Sequence, residues 1–466
     1  MMDRLRSVWT ATDLRKKILL TIGMLVIYRM IAYIPVPGVD PASVSKALGS
    51  NQSLSQIFGL LSVFSGGSIS NFSIVALGVY PYITASIVVQ LLGPIIPRLE
   101  KMSREGGESG RNQLSQITRY LTVPLAFLQG FGQLALFASI GAVTSTTFGL
   151  TNGKTFLPTM TTLLTLTTGV MLLVWIGEII TENGIGNGIS LIIFTNIVVG
   201  IPQSISQYFQ SNGVGGATSN TNPASVVVPL ILSGIVILAL IALIVLVTLA
   251  ERRVPVQYPT KRMLGGRRAM METRQATFIP LRLNQGGMIP LIFAQSLLLF
   301  PVILGTYLGN DQNKITWLRN LFKFLQVQLD PSTWIYPVLF FSFVVAFTYF
   351  YATILFEQQN MADNLRKQGA FIAGVRPGPA TNDYLNKVLL RITLWGALFL
   401  AFIAVMPFIF PAAFRLGKSA GALGGSGGGL LTAASLIIIV QVAIDTIRQI
   451  QSQLLMRNYS GLGFLR

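Results

Sequence analysis

Apolar runs of about 20 residues, the length a helix needs to cross a bilayer core roughly 30 Å thick, recur along the whole of this 466-residue chain. Inside lipid every backbone N–H and C=O must be satisfied internally, which leaves helices and closed barrels as spanning structures. The runs have helical length, so the chain reads as an all-α polytopic membrane protein. Composition agrees: 11% of residues are charged, against about a quarter in a soluble domain. Residues 18–37 are too long for the apolar core of a signal peptide and lack a small-residue cleavage site, so no cleavable signal is expected. Cysteine and histidine are absent, which excludes disulfides, thiol chemistry and histidine metal sites.

Ten spans are expected, at 18–37, 73–96, 120–141, 158–180, 189–209, 226–250, 285–306, 334–356, 388–413 and 429–450. Lys and Arg in the connections set their orientation. With ten spans, 26 of these residues fall on one side and 7 on the other, and Arg29 lies inside the first span. Both termini are therefore expected in the cytoplasm, as tails over 1–17 and 451–466. Two halves, 18–209 and 226–450, flank an external connection at 210–225. Five spans per half would put the halves in the membrane in opposite orientations, with the functional site at their interface. No residue-level repeat is visible, so the duplication rests on count and spacing. Three cytoplasmic connections, 98–119, 251–282 and 357–386, are longer than a helix hairpin needs, and loops of that length are functional or disordered. Between spans 7 and 8, Ile315–Leu329 carries a helical apolar stripe suited to the membrane interface.

One stretch breaks the pattern. Leu54–Phe64 is apolar but only 11 residues long, so as a helix it spans roughly 16 Å and cannot cross. Ser65-Gly-Gly-Ser68 separates it from a run over 74–96 that is long enough, with Pro81 inside it. Lipid does not tolerate loose backbone ends, so the short piece is expected to dip into protein or a water cavity. It reads as a plug over about 54–70, attached to a pore-lining helix.

Chemistry-bearing motifs are scarce. There is no phosphate-loop, zinc-protease or nucleophile-elbow pattern. Gly184-Ile-Gly-Asn-Gly188 lacks the lysine a phosphate loop needs and is read as a tight turn opening span 5. No cofactor, metal or catalytic residue is expected, and no energy source is visible. Glu178 and Asp445 fall near cytoplasmic span ends and read as interfacial. Ion-coupled transporters usually carry buried acids near the midplane, so scarcity of acids weighs against a coupled transporter with inverted repeats. A scaffold or insertase without a pore has no use for a plug. Arg29 needs a partner on a neighbouring helix or another subunit. Val79 and Ile83, and Ile189 and Ile193, are i, i+4 pairs sharing a helix face. Spacing alone reads these as lipid-facing or core positions.

A family resemblance adds to this. Ile34-Pro-Val-Pro-Gly38, Phe64-Ser-Gly-Gly67, Ala76–Ser86, Glu105–Arg111, Gly184–Ser190, Ala362–Leu365 and Gly374–Gly378 together resemble the SecY/Sec61-alpha family of Sec protein translocases, in order along nearly the whole chain. The resemblance implies two inverted five-helix halves closing as a clamshell, hinged at the external connection, around a central pore with a re-entrant plug. It implies an aliphatic pore ring of Val79, Ile83, Ile189, Ile193, Ile292 and Ile438. It implies a plug carrying Ile57, Phe58, Leu60, Leu61, Val63, Phe64, Gly66 and Gly67. It implies a lateral gate where spans 2 and 3 meet 7 and 8, with Thr84, Ser86, Gln90, Gln129 and Ser296. Arg267, Arg268 and Arg376 would dock a SecA motor or the ribosome, and SecE-like and SecG-like membrane subunits would assemble with the chain. Signal sequences and nascent polypeptides would pass through it or leave sideways into the lipid bilayer. The membrane implied is a bacterial plasma membrane or a thylakoid-type membrane.

Overall fold

The computed structural model of the chain describes residues 12–37, 39, 66, 68, 72–93, 95–104, 107–139, 153–211, 223–257, 277–309, 320, 324, 328, 329, 333–359, 361–413 and 433–462. In chain order they form α1 (Thr12–Ile31), α2 (Tyr80–Leu92), α3 (Pro97–Arg104), α4 (Gly107–Ser139), α5 (Gly153–Asn183), α6 (Gly188–Ser211) and α7 (Pro223–Leu249). Then come β1 (Glu251–Val256), β2 (Thr277–Arg282), α8 (Ile289–Gly309), α9 (Ile335–Gln359), α10 (Met361–Lys367), α11 (Pro379–Ala413) and α12 (Ala433–Leu462). The fold is predominantly helical, and each expected apolar stretch carries one helix. Among the described residues, three stretches are long and apolar enough to cross a membrane: Thr155–Asn183, Ile335–Lys367 and Pro379–Met406. Shorter apolar helices cover Tyr80–Leu92, Gly188–Pro202, Gly234–Leu249 and Ile289–Leu298.

The second expected span needs correcting. Helix α2 has 13 residues, and 74–79 is a succession of turns rather than the helix's first part. Pro81 stands in the first turn, with Val79 as N-cap. Proline lacks an N–H and clashes with the turn before it, so it starts a helix where it cannot continue one. The unwound segment is buried from Phe72 through Val79 except at the half-buried Ile74, and much of its backbone is hydrogen-bonded. Val36 donates to the Phe72 carbonyl and Ile74 to the Ile34 carbonyl, both at 3.0 Å, while Ala76 and Gly78 close turns onto Ser73 and Val75. The chain leaving α1 thus forms an isolated bridge between Pro35 and Ser73. Glycine 169 of α5 lets that helix lie against the segment, because a Cβ there would strike the Ile74 carbonyl. Small residues permit such backbone approach between membrane helices.

The Gly184–Gly188 stretch is the expected turn, linking α5 to α6. Three of its N–H groups are taken by side chains: Ile185 donates to Thr21 Oγ1 of α1, Gly186 to Gln449 Oε1 of α12, and Gly188 to Thr181 Oγ1 of α5. Helix packing links the halves through α12 on α6 and through α8 on α2 and α4.

The 251–282 connection departs from the all-α expectation. Its ends pair as an antiparallel hairpin, with Val254 opposite Ile279. The two prolines that disguise these strands point their missing donors outward. Gln257 turns its N–H away from β2 to the Phe371 carbonyl at 2.9 Å, and Leu283 turns its N–H inward to Ala250. With period two along a strand, Pro255 and Pro280 both fall on free edges, where proline is tolerated. The Gln257–Phe371 bridge joins the hairpin to the 357–386 connection. Val254, Val256, Leu281, Leu365, Ile372, Leu385 and Leu389 form the core of this unit.

Gly169→Ala is expected to cost about 1–3 kcal/mol, the usual penalty of overpacking, and to lower the thermal midpoint of the detergent-purified protein. Gly23→Ala, whose Cβ meets nothing within 4 Å, is expected to leave it unchanged.

Candidate functional site

The unwound entry to α2 delivers Val79 at the helix cap and Ile83 one turn later, both buried. The Gly184–Gly188 turn opens α6 so that Ile189 and Ile193 lie on one face. Helix α8 brings Ile292, and α12 brings Ile438. Val79, Ile83, Ile193, Ile292 and Ile438 are buried in one apolar cluster, and Ile189 packs against it half-buried. The six candidates from four helices, two in each half, are therefore brought together. The same cluster extends through Ile87, Ile197, Met288 and Val442 to Tyr28 of α1.

Beside it, polar groups line the contact of α8 with α2 and α4. Gln129 Nε2 donates to Thr84 Oγ1 at 3.5 Å, and Thr84 donates to the Tyr80 carbonyl at 3.0 Å. The Tyr80 hydroxyl crosses to the Ser296 carbonyl at 2.9 Å. Ser86 and Gln90 pair with each other along α2, Gln90 Nε2 donating at 3.1 Å, and so stand apart from that crossing. Gln129 Oε1 and Ser296 Oγ are buried without a partner, which leaves this seam less well satisfied than the apolar packing around it. Tyr80 is the residue that sequence reasoning missed. Its only sequence signal is its place beside Pro81, which puts it in the first turn.

Of the expected plug, Gly66 is described and buried. Ile57, Phe58, Leu60, Leu61, Val63, Phe64 and Gly67 lie outside the described residues, as do Arg267 and Arg268, the 417–429 connection and most of the 315–329 stripe. Arg376 is described and exposed. Its carbonyl accepts from Thr381 Oγ1 at 2.8 Å, and the Thr381 N–H donates to Gly378 at 3.0 Å. Gly374 and Gly378 supply the left-handed turns on either side, at φ 84° and 111°. Arg376 thus projects from a braced tip on the hairpin unit, whose flank carries Arg253 stacked 4.7 Å from the Phe278 ring centroid.

The acids stand where a structural role explains them. Glu178 is ion-paired at 2.6 Å with Arg119, pinning α5 to α4. Asp445 is half in solvent, accepts from Gln441 Nε2 at 2.9 Å and lies 4.0 Å from Arg282. Arg29 finds its partner within the chain, donating to the Gly66 carbonyl at 3.1 Å.

The SecY family model matches residues 73–447. Protein translocase subunit SecY of Corynebacterium glutamicum is 40% identical over 454 residues, covering 97% of each chain. The corresponding subunit of Synechococcus elongatus is 38% identical over 452 residues, covering 97% of this chain and 95% of its own. Among solved structures, a protein-conducting channel aligns with TM-score 0.59 at 17% identity, over 94% of this chain and 91% of that one. Sec61 from a canine ribosome–channel complex of the endoplasmic reticulum aligns with TM-score 0.54 at 16% identity and the same coverage. A SecY structure concerned with how the plug domain stabilises the closed channel and keeps the membrane sealed aligns with TM-score 0.60 at 18% identity. A family match across most of the chain, together with relatives aligned nearly end to end, makes this membrane protein a member of the SecY family.

Proposed function

We propose that this chain is the channel subunit of a protein translocase, passing unfolded secretory polypeptides across the membrane and releasing transmembrane segments sideways into lipid. It is a passive conduit rather than an enzyme. The observation that carries the reading is the meeting of Val79, Ile83, Ile189, Ile193, Ile292 and Ile438, from both halves, in one apolar cluster. A ring of such side chains seals against ions when closed. It also offers a passing polypeptide no hydrogen bonds, so the chain does not stick.

The halves act as an inverted pair of five-helix bundles, a ten-helix clamshell hinged at 210–225. The segment over about 54–70 is the plug that closes it. The lateral gate runs along α8 against α2 and α4, where Thr84, Gln129, Tyr80 and Ser296 form a seam that opens at low cost; Ser86 and Gln90 extend its polar edge along α2. Each central leucine of an entering span gains a few tenths of a kcal/mol, whereas a charge costs about 2.5–3.5 kcal/mol. The decision to leave sideways is therefore a sum over a segment. Arg376 on its braced tip, with Arg267 and Arg268 on the hairpin's loop, docks the ribosome or a SecA-type motor, since arginine pairs with phosphate and carboxylate alike. SecE-like and SecG-like subunits complete the complex. The excess of positive charge supports cytoplasmic termini in a bacterial plasma membrane or a thylakoid-type membrane. A coupled transporter fits less well, because Glu178 is held by Arg119 and Asp445 is half exposed beside Arg282.

Deleting Ile57–Ser70 is expected to leave an assembled channel that leaks ions at rest, and wild-type conductance in planar bilayers would remove the plug from the reading. Arg376→Glu reverses a docking charge, a change that costs about 2–5 kcal/mol. Export is expected to fall by more than about tenfold while assembly with the partner subunits survives; normal export by this variant counts against the docking role. Ile193→Asp or Ile292→Asp is expected to raise single-channel leak and to admit precursors with defective signal sequences. Wild-type values of both would exclude these residues from the ring.

A further inference from the structure

The turn that starts α6 is gripped from both halves of the chain. Within the first half, Ile185 donates to Thr21 Oγ1, Gly188 donates to Thr181 Oγ1, and the Tyr28 hydroxyl donates to Asn196 Oδ1 further along α6. From the second half, Gln449 Oε1 of α12 accepts the Gly186 N–H. Gly186 is left-handed at φ +86°, and a Cβ there would stand 3.3 Å from Thr446 Oγ1 of α12. Its neighbour Ile185 is buried with Leu14 of α1, and Ile450 and Leu454 of α12 pack against that pair.

Ile438, Val442, Thr446 and Gln449 of α12 follow one another at i, i+4, i+8 and i+11, which places them on one helix face. At the far end of that face, Ile438 and Val442 share an apolar cluster with Ile193 and Ile197 of α6. Apolar packing is non-directional, and in lipid no hydrophobic force drives one helix onto another. An apolar face can therefore shift along its neighbour by part of a turn at little cost. A hydrogen bond weakens steeply once its geometry is lost, so one at the end of the face fixes the register, as a single polar residue does in a coiled coil. The chain between the turn and the ring candidates has no slack. A Cβ at Gly188 would collide with the Gly177 carbonyl, and one at Gly177 would come within 2.7 Å of Ile189 Cδ1. A displacement of the turn is therefore passed to Ile189.

We propose that Gln449 is a positioning residue for the pore ring: by holding Gly186 it sets the register of α12 on α6, and with it the depth at which Ile438 of one half meets Ile189 and Ile193 of the other. This rests on the ring reading above. Gln449 acts from about three helical turns away and is not itself a member of the ring. Thr21, Thr181 and Tyr28 tie α6 to its own half, whereas Gln449 ties it to the other, so its loss uncouples the halves without unmaking either one.

The test uses the full translocase with its partner subunits, any cysteine of those subunits removed. The chain has no cysteine of its own, so spin labels at Glu182→Cys, at the exposed end of α5, and Gln451→Cys, on the exposed side of α12, report the distance between the halves. Gln449→Met keeps the side-chain length and removes the acceptor; Gln449→Ala serves if Gln449→Met fails to assemble. Either is expected to broaden the distance distribution. Each is also expected to raise resting conductance, and export of a precursor with a defective signal sequence, by about fivefold, the loss of one hydrogen bond. Gln449→Glu keeps an acceptor oxygen of the same reach and is expected to restore all three readings, which a role in packing alone would not. The positioning role is overturned if Gln449→Met leaves the distance unchanged, if the distance broadens while leak and export stay at wild-type values, or if Gln449→Glu behaves as Gln449→Met does. When Ile193→Asp leaks and Gln449→Met does not, the ring stands and the positioning role alone is lost. When Ile193→Asp itself has wild-type leak and export, the ring reading fails and the positioning role fails with it.

Discussion

The structure depends on how one stretch of non-helical backbone is satisfied. Residues 72–79 are unwound between apolar helices, where each bare N–H or C=O costs several kcal/mol. They persist because the exit of α1 lies alongside as a partner strand, through the Val36–Phe72 and Ile74–Ile34 bonds. Glycine 169 lets α5 close over the same backbone. With that enclosure, α2 can begin late, at Tyr80, and present Val79 from a helix cap. An uninterrupted span from residue 73 would direct Val79 differently.

Satisfaction by neighbours recurs at the start of α6. The Gly184–Gly188 turn owes its N–H partners to α1, α5 and α12, so the start of α6 is fixed by both halves at once. The apolar cluster then spans the halves through α6 and α12, and the weaker polar seam spans them through α2, α4 and α8. Packed aliphatic side chains leave no hydrogen bond unmade, whereas the seam keeps unpartnered buried groups such as Gln129 Oε1 and Ser296 Oγ. The hairpin and the 357–386 connection share one core and one backbone bridge, so Arg376 projects from a folded unit rather than from a free loop.

Much of this was legible in the sequence. Run lengths located the apolar stretches that carry helices, and the positions of Pro81 and Gly188 mark two helix starts once turn chemistry is applied to them. The six ring candidates were assigned by resemblance, because i, i+4 spacing on one helix says nothing about which other helix it faces. The hairpin was hidden by Pro255 and Pro280, which read as strand breakers until their outward edges are known. Glu178 read as interfacial, since its partner Arg119 is far away in sequence and on another helix. Tyr28 and Asn196 gave no signal, and Tyr80 only its place beside Pro81, because a single polar residue in an apolar run is defined only by what it touches.

By itself the sequence determined the class of solvent and the places of its apolar helical stretches. Helix length against bilayer thickness, and arginine and lysine against the charge bias of membranes, are local quantities that add along the chain. Tertiary structure alone decided which faces meet. The burial of the 72–79 backbone, the convergence of Val79, Ile83, Ile189, Ile193, Ile292 and Ile438, and the grip of Arg29 on Gly66 are contacts between segments far apart in sequence. Their energies depend on distance in space, and no periodicity along the chain encodes them.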